Sequence, residues 1–324
     1  MNILVTGGAG YIGSHATKLL LDAGHRVVVV DNLSRGYRDA VDARATFYET
    51  SIANQLTLEK ILREEKIEGV MHFAAFMQVG ESVHEPLMYY DNNTGGAVRL
   101  LRAMQAVGVQ RFVFSSTAAV YGEPEKTPIR EDFTKEPINP YGRSKRFVEQ
   151  ILEEYAAANP EFAYSIFRYF NVAGSAMDGS LGERHDPETH LIPIILQAAL
   201  GKRKAFTVFG TDYATPDGTC IRDYIHVEDL CDAHIRVMQR LEPGQHRYYN
   251  LGIGHGYSVL EVLQAAERVV GHTIPTEYGT RRAGDPARLF ADSALAQKEL
   301  DWKPRYPELG DMIRSAWNYI KAHA

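Results

Sequence analysis

The chain has 324 residues, of which 45% are hydrophobic and 23% are charged, and its formal net charge is -6. This composition excludes wholesale disorder, and the apolar runs are too short to span a membrane. The negative charge disfavours nucleic acid or an anionic membrane surface as the main partner. The two cysteines, Cys220 and Cys231, have neither the spacing of metal ligands nor that of a disulfide framework. We therefore expect a cytoplasmic protein without a metal site.

The first two-fifths of the chain alternates short β-branched runs with helical patterns. Strands are predicted at ILVTG from residue 3, VVVVD at 27–31, VMHFAA at 70–75 and RFVFSS at 111–116. Helices are predicted over 13–23, 56–65 and 92–107, where apolar residues recur every three or four positions. This alternation, with right-handed crossovers, predicts a doubly wound parallel sheet of the Rossmann-like α/β class.

The alternation continues with a helix over 141–158 and the strand YSIFRYF, and it weakens after Asn171. From there to about residue 222, segments rich in Gly, Pro, Asp and Thr predict binding loops around one helix, 191–200. RDYIHVEDL then predicts a short strand and the start of a helix, and YYNLG predicts a further strand at 248–252. The second part of the chain is therefore expected to form a smaller lobe.

The first strand leads into the glycine-rich stretch TGGAGYIGS and then into a helix. Gly8, Gly10 and Gly13 satisfy the dinucleotide fingerprint. Gly7, Gly10 and Gly13 satisfy a variant of it with two residues between successive glycines. Small residues let the backbone approach a pyrophosphate at the N-terminus of a helix. The next strand ends at Asp31, where a carboxylate can accept hydrogen bonds from an adenosine ribose. This acid favours NAD over NADP.

The stretch NPYGRSK places Tyr141 and Lys145 on one face at the start of a helix. Thr117 follows the strand RFVFSS, at the carboxyl edge of the sheet where doubly wound folds bind ligands. A lysine cation about 5 Å away would supply roughly 3 of the about 4 kcal/mol needed to bring a tyrosine pKa from near 10 to near 7. We therefore predict that Tyr141 accepts a proton from a hydroxyl that loses hydride, that Lys145 tunes it, and that Thr117 binds the same oxygen.

A series of motifs covers nearly the whole chain in the order TGGAGYIG, HFAA, YYDNN, SSTAAVYG, YGRSK, RYFN and RDYIHV. Together they resemble the extended short-chain dehydrogenase/reductases, and most closely the UDP-glucose 4-epimerases. The resemblance implies an isomerase with bound NAD that oxidises carbon 4 of the sugar, lets the 4-ketose turn, and returns hydride to its other face. UDP-galactose and UDP-glucose would interconvert without net redox change.

The resemblance also assigns two sets of site residues. Cofactor contacts are implied for Gly7, Gly10, Tyr11, Ile12, Gly13, Asp31, Asn32, Ser51, Phe73, Ala74, Asn92, Ser115, Tyr141, Lys145 and Tyr169. Substrate contacts are implied for Thr117, Tyr141, Asn171, His190, Leu191, Phe209, Arg222, Arg282, Asp285 and Leu289. Among the latter, the two arginines are expected on the diphosphate, Phe209 beside the uracil and Asp285 on the uridine ribose.

The same resemblance divides the chain. It implies an NAD-binding Rossmann domain over residues 1–170, with a return segment at about 222–255, and a UDP-sugar-binding lobe from 171–221 and 256–324. The family commonly pairs two subunits through the helices before and after RFVFSS, so a homodimer is expected. No nucleic acid or membrane partner is implied.

Three positions depart from the family pattern. Ser51 stands where an acidic residue often meets the adenine amino group, and Met77 stands where a lysine often reaches the cofactor. These changes leave open how tightly NAD is held. Leu289 is intermediate between the bulky tyrosine of enzymes limited to plain hexoses and the small residue of those that accept N-acetylhexosamines. Acceptance of N-acetylhexosamine nucleotides is therefore open.

Two other functions share these motifs. A nucleotide-sugar 4,6-dehydratase needs a further acid and base, which its family places directly after the active-site threonine. Ala118 and Ala119 occupy those positions here and cannot transfer protons. A non-catalytic, dinucleotide-sensing protein would keep the glycine loop, but such proteins can lose the tyrosine and lysine that this chain retains. The sequence favours the epimerase over both.

Overall fold

The computed structural model describes residues 1–281 and 285–323. The strands are β1 (Asn2–Thr6), β2 (Arg26–Asp31), β3 (Thr46–Glu49), β4 (Gly69–His72), β5 (Arg111–Thr117), β6 (Ala163–Tyr169), β7 (Asn171–Ala173), β8 (Phe206–Phe209), β9 (Ile221–His226), β10 (His246–Leu251), β11 (Gly256–Ser258), β12 (Thr276–Gly279) and β13 (Arg288–Leu289).

The helices alternate with these strands along the first half of the chain. They are α1 (Tyr11–Asp22), α2 (Gln55–Glu64), α3 (Val79–His84), α4 (Pro86–Tyr89), α5 (Gly96–Val107), α6 (Pro140–Ala158), α7 (Leu191–Ala199), α8 (Val227–Arg240), α9 (Val259–Val270), α10 (Ala294–Leu300) and α11 (Leu309–Ala322). Within the described residues, no helix is both long and apolar enough to cross a membrane.

Seven strands form one parallel sheet, in the order β10-β6-β5-β4-β1-β2-β3. The chain starts at β1 near the middle, moves outward through β2 and β3, and then crosses back to β4 on the other side of β1. The strand order therefore reverses between β1 and β4, and such a reversal leaves a crevice at the carboxyl ends of the two strands. The doubly wound sheet predicted from the sequence is confirmed.

Side chains of the sheet alternate between two apolar layers. Ile3 and Val5 of β1 pack with α1, α8 and α10 on one face. Leu4 of the same strand packs with α2, α5 and α6 on the opposite face. Because each strand buries both of its faces, the central strands are continuous runs of β-branched and apolar residues.

The smaller lobe has its own apolar cluster, formed mainly by α7, α9 and α11 with β8 and β9. Strand β9 lies between β11 and β13 and also pairs with β7, while β8 pairs with β12. The strand predicted within RDYIHVEDL is thus present, and it belongs to this second sheet. Strand β10, predicted from YYNLG, returns the chain to the edge of the large sheet beside β6.

Two details differ from the sequence-based elements. The predicted helix over 92–107 is divided into a π-helical turn, Tyr90–Gly95, and α5, so the expectation of a uniform helix was wrong there. Strand β3 was not among the predicted runs. It is short, its side chains are partly exposed, and it lies at the sheet edge, so its apolar signal is weak.

Candidate active site

The glycine loop between β1 and α1 lies in the crevice where the strand order reverses. Gly7 has a φ of 74°, and a Cβ there would lie 2.5 Å from the backbone nitrogen of Ala74, which follows β4. A Cβ on Gly13 would collide with the carbonyl oxygen of Gly7. These two positions accept only glycine without movement of the backbone, because a side chain would push the loop away from β4 or from α1.

The loop leaves open space above the start of α1. A Cβ on Gly10 would meet only one atom within 4 Å, the Gly7 carbonyl oxygen at 3.3 Å. Gly10 is the N-cap of α1, and its helix receives no capping hydrogen bond from a side chain among the described residues. The first backbone N–H groups and the positive end of the helix dipole can therefore meet an anion, which fits a dinucleotide pyrophosphate.

Asp31 ends β2 beside this loop. Its Oδ2 accepts a hydrogen bond from the backbone N–H of Ala9 at 3.0 Å, and its Oδ1 accepts one from that of Leu33 at 2.8 Å. Burial raises the pKa of the Asp31 carboxyl, and these hydrogen bonds oppose the rise. Each oxygen retains a lone pair that can accept from a ribose hydroxyl. Nearby Arg35 forms an ion pair with Glu81 at 2.5 Å, so its charge already has a partner within the protein.

Helix α6 places the predicted catalytic pair. The Asn139 side chain accepts a hydrogen bond from the backbone N–H of Gly142 at 2.8 Å, and Pro140 occupies the first helical position. Both features fix where the helix begins. Tyr141 therefore stands in the first turn, and Lys145 follows one turn later on the same face.

Lys145 is anchored against β5. Its Nζ donates a hydrogen bond to the carbonyl oxygen of Ser115 at 2.7 Å and lies 5.0 Å from the centroid of the Phe114 ring. Burial lowers the pKa of Lys145 to about 7, and the negative charge of Glu149 on the next turn opposes this. Near neutral pH the ammonium and the free amine are therefore both accessible forms.

Tyr141 and Thr117 lie within hydrogen-bonding reach across the carboxyl edge of the sheet. Burial raises the pKa of the Tyr141 phenol, and a hydrogen bond with the Thr117 side chain opposes the rise. Thr117 Oγ1 also accepts from the backbone N–H of Ala119 at 3.1 Å, which leaves the hydroxyl proton to be donated to another oxygen. The protein groups alone thus do not lower the tyrosine pKa as the sequence-based argument expected, because desolvation outweighs the hydrogen bond.

A second tyrosine, Tyr169, donates its hydroxyl proton to a histidine. The Tyr169 hydroxyl hydrogen-bonds His234 Nε2, and His234 Nδ1 lies 2.8 Å from the carbonyl oxygen of Leu230. Since burial lowers the pKa of His234 to about 3, the ring is neutral, with Nδ1 donating to the carbonyl and Nε2 accepting from the phenol. The Tyr169 hydroxyl therefore donates its proton to His234, whereas the Tyr141 hydroxyl hydrogen-bonds Thr117.

Asn93 holds the loop after β4 against α6. Its side chain accepts from the backbone N–H of Phe76 at 2.8 Å and donates to the Phe76 carbonyl oxygen at 2.9 Å and to Ser144 Oγ at 3.0 Å. Asn93 is buried in the π-helical turn, a feature often found at functional sites. The sequence motif YYDNN contains this residue, but no spacing rule separates it from the neighbouring Asn92, whose amide donates to Asn93 Oδ1.

Apart from Thr117 and Tyr141, the predicted substrate residues that the structure describes lie in the second lobe. Arg222 of β9 forms an ion pair with Asp285, and Leu289 of β13 is the strand partner of Arg222. Asn171 begins β7, and Phe209 ends β8. Arg282 lies outside the described residues. The structure thus brings together Arg222, Asp285 and Leu289.

The start of α7 supplies two more of the predicted substrate residues. His190 is its N-cap and Leu191 its first residue. The His190 ring lies between two carboxylates, with Nδ1 3.0 Å from oxygens of both Glu183 and Glu188. Neither glutamate was singled out from the sequence, although GERHDPETH contains three acidic residues and two histidines within nine positions.

Four more of the predicted cofactor residues lie just after the ends of strands in the large sheet or at the start of α1. The Tyr11 hydroxyl donates to the carbonyl oxygen of Gly174 at 2.6 Å, which ties the start of α1 to the second lobe. The Phe73 ring lies 5.2 Å from that of His234. Asn32 and Ser51 follow the ends of β2 and β3, and their side-chain oxygens accept hydrogen bonds from local backbone N–H groups.

Comparisons with known proteins agree with this arrangement. A sequence profile described as the NAD dependent epimerase/dehydratase family matches residues 3–252. The UDP-glucose 4-epimerase of Lacticaseibacillus casei is 51% identical over 324 residues, a match that covers 100% of this chain and 98% of that protein.

Solved structures give the same result. The UDP-glucose 4-epimerase of Bifidobacterium longum in complex with NAD+ and UDP is 40% identical, with a TM-score of 0.95 over 99% of this chain and 98% of that chain. The UDP-Glc/GlcNAc 4-epimerase of Campylobacter jejuni is 42% identical, with a TM-score of 0.87 over 99% of each chain. The similarity therefore extends over both lobes.

Proposed function

The chain belongs to the NAD-dependent epimerase/dehydratase family, and we propose that it interconverts UDP-galactose and UDP-glucose by inverting carbon 4 of the hexose. One observation carries this proposal: Tyr141 and Thr117 share a hydrogen bond at the carboxyl edge of β5, with Lys145 anchored behind them. The residues after Thr117 are Ala118 and Ala119, which lack the acid and base that a dehydratase needs. An enzyme with Tyr141, Thr117 and Lys145, but without that acid and base, can oxidise a hydroxyl to a ketone and reduce the ketone again without eliminating a neighbouring hydroxyl.

A bound NAD would supply the hydride acceptor for oxidation at carbon 4 and the hydride donor for reduction of the ketose. The residues proposed to hold it are those of the glycine loop, with Asp31 for the adenosine ribose and the start of α1 for the pyrophosphate. The open space above Gly10 and the unpaired lone pairs of Asp31 fit these two groups.

Tyr141 is the proposed proton acceptor for the 4-hydroxyl and returns the proton when the ketose is reduced. With substrate bound, Thr117 would turn its single O–H from the Tyr141 phenol to the same sugar oxygen, while its own oxygen continues to accept from Ala119. Lys145, when protonated, stabilises the phenolate across one helical turn. The substrate would displace the water that otherwise solvates Tyr141 and Thr117. The catalytic arrangement is therefore complete only when substrate and NAD are both bound.

The second lobe is proposed to bind the UDP part firmly and leave the hexose free to turn. Arg222 and Arg282 would bind the diphosphate, and Asp285, which pairs with Arg222, would bind the uridine ribose. Asn171, His190, Leu191 and Phe209 would complete the nucleotide site. The proposed division is an NAD-binding domain over residues 1–170 with a return segment at about 222–255, and a UDP-sugar lobe from 171–221 and 256–324. Strand β9, at the start of the return segment, belongs to the second sheet and so supports assigning Arg222 to the UDP-sugar lobe.

A homodimer is the proposed assembly, and exposed apolar side chains support it. Val83 of α3, Leu87 of α4 and Phe147 of α6 are 58%, 81% and 44% exposed. They lie on the helices before and after β5. Helices α3, α4 and α6 contact one another, so these side chains could contribute to one self-complementary contact. The cytoplasm remains the proposed location.

The test is to incubate the purified protein with UDP-galactose and, separately, with UDP-N-acetylgalactosamine, each with and without added NAD. Chromatography of the products is expected to show UDP-glucose in the first reaction, and the second reaction reports whether the sugar site tolerates an N-acetyl group. A 4-keto-6-deoxy product would identify a dehydratase instead. Absence of conversion even with NAD would overturn the proposal.

A further inference from the structure

Four potential metal ligands meet in the loop between β7 and α7. Glu183, His185, Glu188 and His190 each offer one ligand atom, and these atoms all lie within 4.8 Å of one another. Both carboxylates are buried, and both imidazoles are partly covered. In residues 1–281 and 285–323 this is the one group of three or more His, Cys, Asp or Glu side chains with that geometry.

The distances suit a tetrahedral ion. His185 Nδ1 lies 3.4 Å from Glu183 Oε1 and 3.5 Å from Glu188 Oε2, and His190 Nδ1 lies 3.0 Å from Glu183 Oε1. Bonds of about 2.0–2.2 Å to zinc, arranged tetrahedrally, place neighbouring ligand atoms roughly 3.3–3.6 Å apart. These three pairs already stand near the spacing that a bound ion would require, and the remaining pairs, which lie within 4.8 Å, would close around it.

One of the four atoms is held only by long contacts. His185 Nδ1 is buried and lies 3.4 and 3.5 Å from two carboxylate oxygens, but it makes no well-formed hydrogen bond with any part of the chain that the structure describes. A buried ring nitrogen without a well-formed hydrogen bond is costly, and a metal ion is one of the groups that can satisfy it. The nitrogen faces the carboxylates of Glu183 and Glu188, which is where an ion would lie.

The carboxylate of Glu188 is held in place from behind. Its Oε1 accepts hydrogen bonds from the backbone N–H groups of Thr189 and His190 at 2.8 and 2.9 Å, which directs Oε2 toward His185. Such supporting bonds orient metal ligands in known sites. The loop is also anchored at Arg184, which pairs with Asp39 and lies 4.2 Å over the centroid of the Tyr37 ring.

We propose that Glu183, His185, Glu188 and His190 bind one Zn²⁺ ion. Two imidazole nitrogens with two carboxylate oxygens suit this ion better than Mg²⁺ or Ca²⁺, which prefer oxygen ligands alone. Four protein ligands close the coordination sphere, so the ion is structural. The proposal departs from the expectation of no metal, which rested on the absence of cysteine ligands.

The proposed metal site lies between the start of α1 and the start of α7. The His185 ring meets that of Tyr11 edge-on, with centroids 6.4 Å apart, and His190 is the N-cap of α7. Tyr11 begins α1 directly after the glycine loop. An ion bound here would fix the loop between the cofactor crevice and the start of α7.

The test uses the full-length protein, treated with a chelator and then dialysed against Zn²⁺ or Mg²⁺ before elemental analysis and thermal unfolding. We expect one zinc per chain, a rise in the unfolding midpoint with Zn²⁺ and none with Mg²⁺. His185→Gln should lose at least tenfold in zinc affinity, whereas His272→Gln, at an exposed histidine, should not. Epimerase activity is not needed for any of these readouts.

Several outcomes would overturn the proposal. Wild-type protein that retains no zinc after dialysis would show that the cluster is two histidine–carboxylate pairs, and zinc retained equally by His185→Gln would place the ion elsewhere. If His185→Gln fails to fold, titration of the wild-type protein with Co²⁺ decides, because a tetrahedral site gives strong visible absorption. Absence of that absorption would also refute the site.

Discussion

Glu149 and Arg168 form an ion pair inside the protein, with Arg168 Nε and Nη2 donating to the two carboxylate oxygens at 3.0 and 2.9 Å. Their side chains are 0% and 2% exposed. Glu149 lies one helical turn after Lys145, and it also accepts a hydrogen bond from Ser116 Oγ at 2.6 Å. The pair therefore joins α6 to β5 and β6 directly behind the proposed catalytic residues.

Removing one member of this pair should destabilise the protein strongly. Arg168→Met leaves the Glu149 carboxylate buried without its main partner, which costs about 3–5 kcal/mol of unfolding free energy. We expect the midpoint of thermal unfolding to fall by several degrees. Arg130→Gln breaks the exposed pair with Asp132 and should change the midpoint little. Equal effects of the two substitutions would contradict a special role for the buried pair.

The pKa of Lys145 leads to a prediction about pH. Burial holds this pKa at about 7 in the folded protein against 10.5 for an ordinary lysine. Below pH 7 the lysine is charged in both the folded and the unfolded state. Burying this charge lowers the free energy of unfolding by at most about 5 kcal/mol, because the pKa falls from 10.5 to about 7 and each pKa unit is worth about 1.4 kcal/mol. Between these two pKa values the unfolded state binds more protons, so stability rises with pH.

Lys145→Met removes this titration. In protein freed of NAD, its gain in unfolding midpoint over wild type should be largest below pH 7 and should shrink as pH approaches 10.5. Thermal unfolding across this range measures the difference. Lys204→Met, at an exposed lysine, is the matched control. A constant difference for Lys145→Met would mean that its charge is not desolvated.

The sequence predicted the large sheet well because its strands are buried on both faces and so read as unbroken apolar runs. It missed β3, which is short and partly exposed, and the π-helical form of the turn Tyr90–Gly95, in which Asn93 hydrogen-bonds Phe76 and Ser144. Those partners lie far along the chain. In the second lobe the six-residue strand β9 was predicted, whereas β7, β11 and β13 have three residues or fewer and are too short to give a periodic pattern.

Some features of the candidate site could likewise be predicted from the sequence, and others could not. Local spacing was enough to predict that Tyr141 and Lys145 share a face, and the strand end at Asp31 was readable from its position. The structure adds contacts between distant segments, such as the bond from Ser116 to Glu149. It also adds desolvation, which no spacing reveals and which raises the pKa of Tyr141.

Tyr141→Phe should keep the fold and NAD but lose turnover by about 10²–10⁴-fold, because the phenol oxygen that exchanges the substrate proton is removed. The measurement is the rate of UDP-glucose formation, with bound NAD determined on the same sample. Tyr278→Phe, at a tyrosine that is 65% exposed, serves as the control. An unimpaired Tyr141→Phe enzyme would refute the assignment.

Leu87→Glu tests the proposed dimer. A charge placed in a paired apolar surface is expensive to bury, so the variant should shift from dimer to monomer with its fold intact. Light scattering coupled to gel filtration measures the mass of both proteins. Leu56→Glu, at a residue that is 77% exposed on α2, should leave the assembly unchanged. Wild-type protein that runs as a monomer would rule out the homodimer.

Leu289 gives a prediction about sugar specificity. It is half-buried in β13 and is the strand partner of Arg222, a proposed diphosphate ligand, so its side chain is well placed to limit the space for the hexose. Leu289→Tyr should lower kcat/KM for UDP-N-acetylgalactosamine relative to UDP-galactose, because a bulky ring would fill the volume of an acetamido group. Leu289→Ala should change this ratio in the opposite direction. Arg288→Gln, at the exposed neighbouring position, is the matched control. If all three variants keep the wild-type ratio, the sugar site is bounded by other residues.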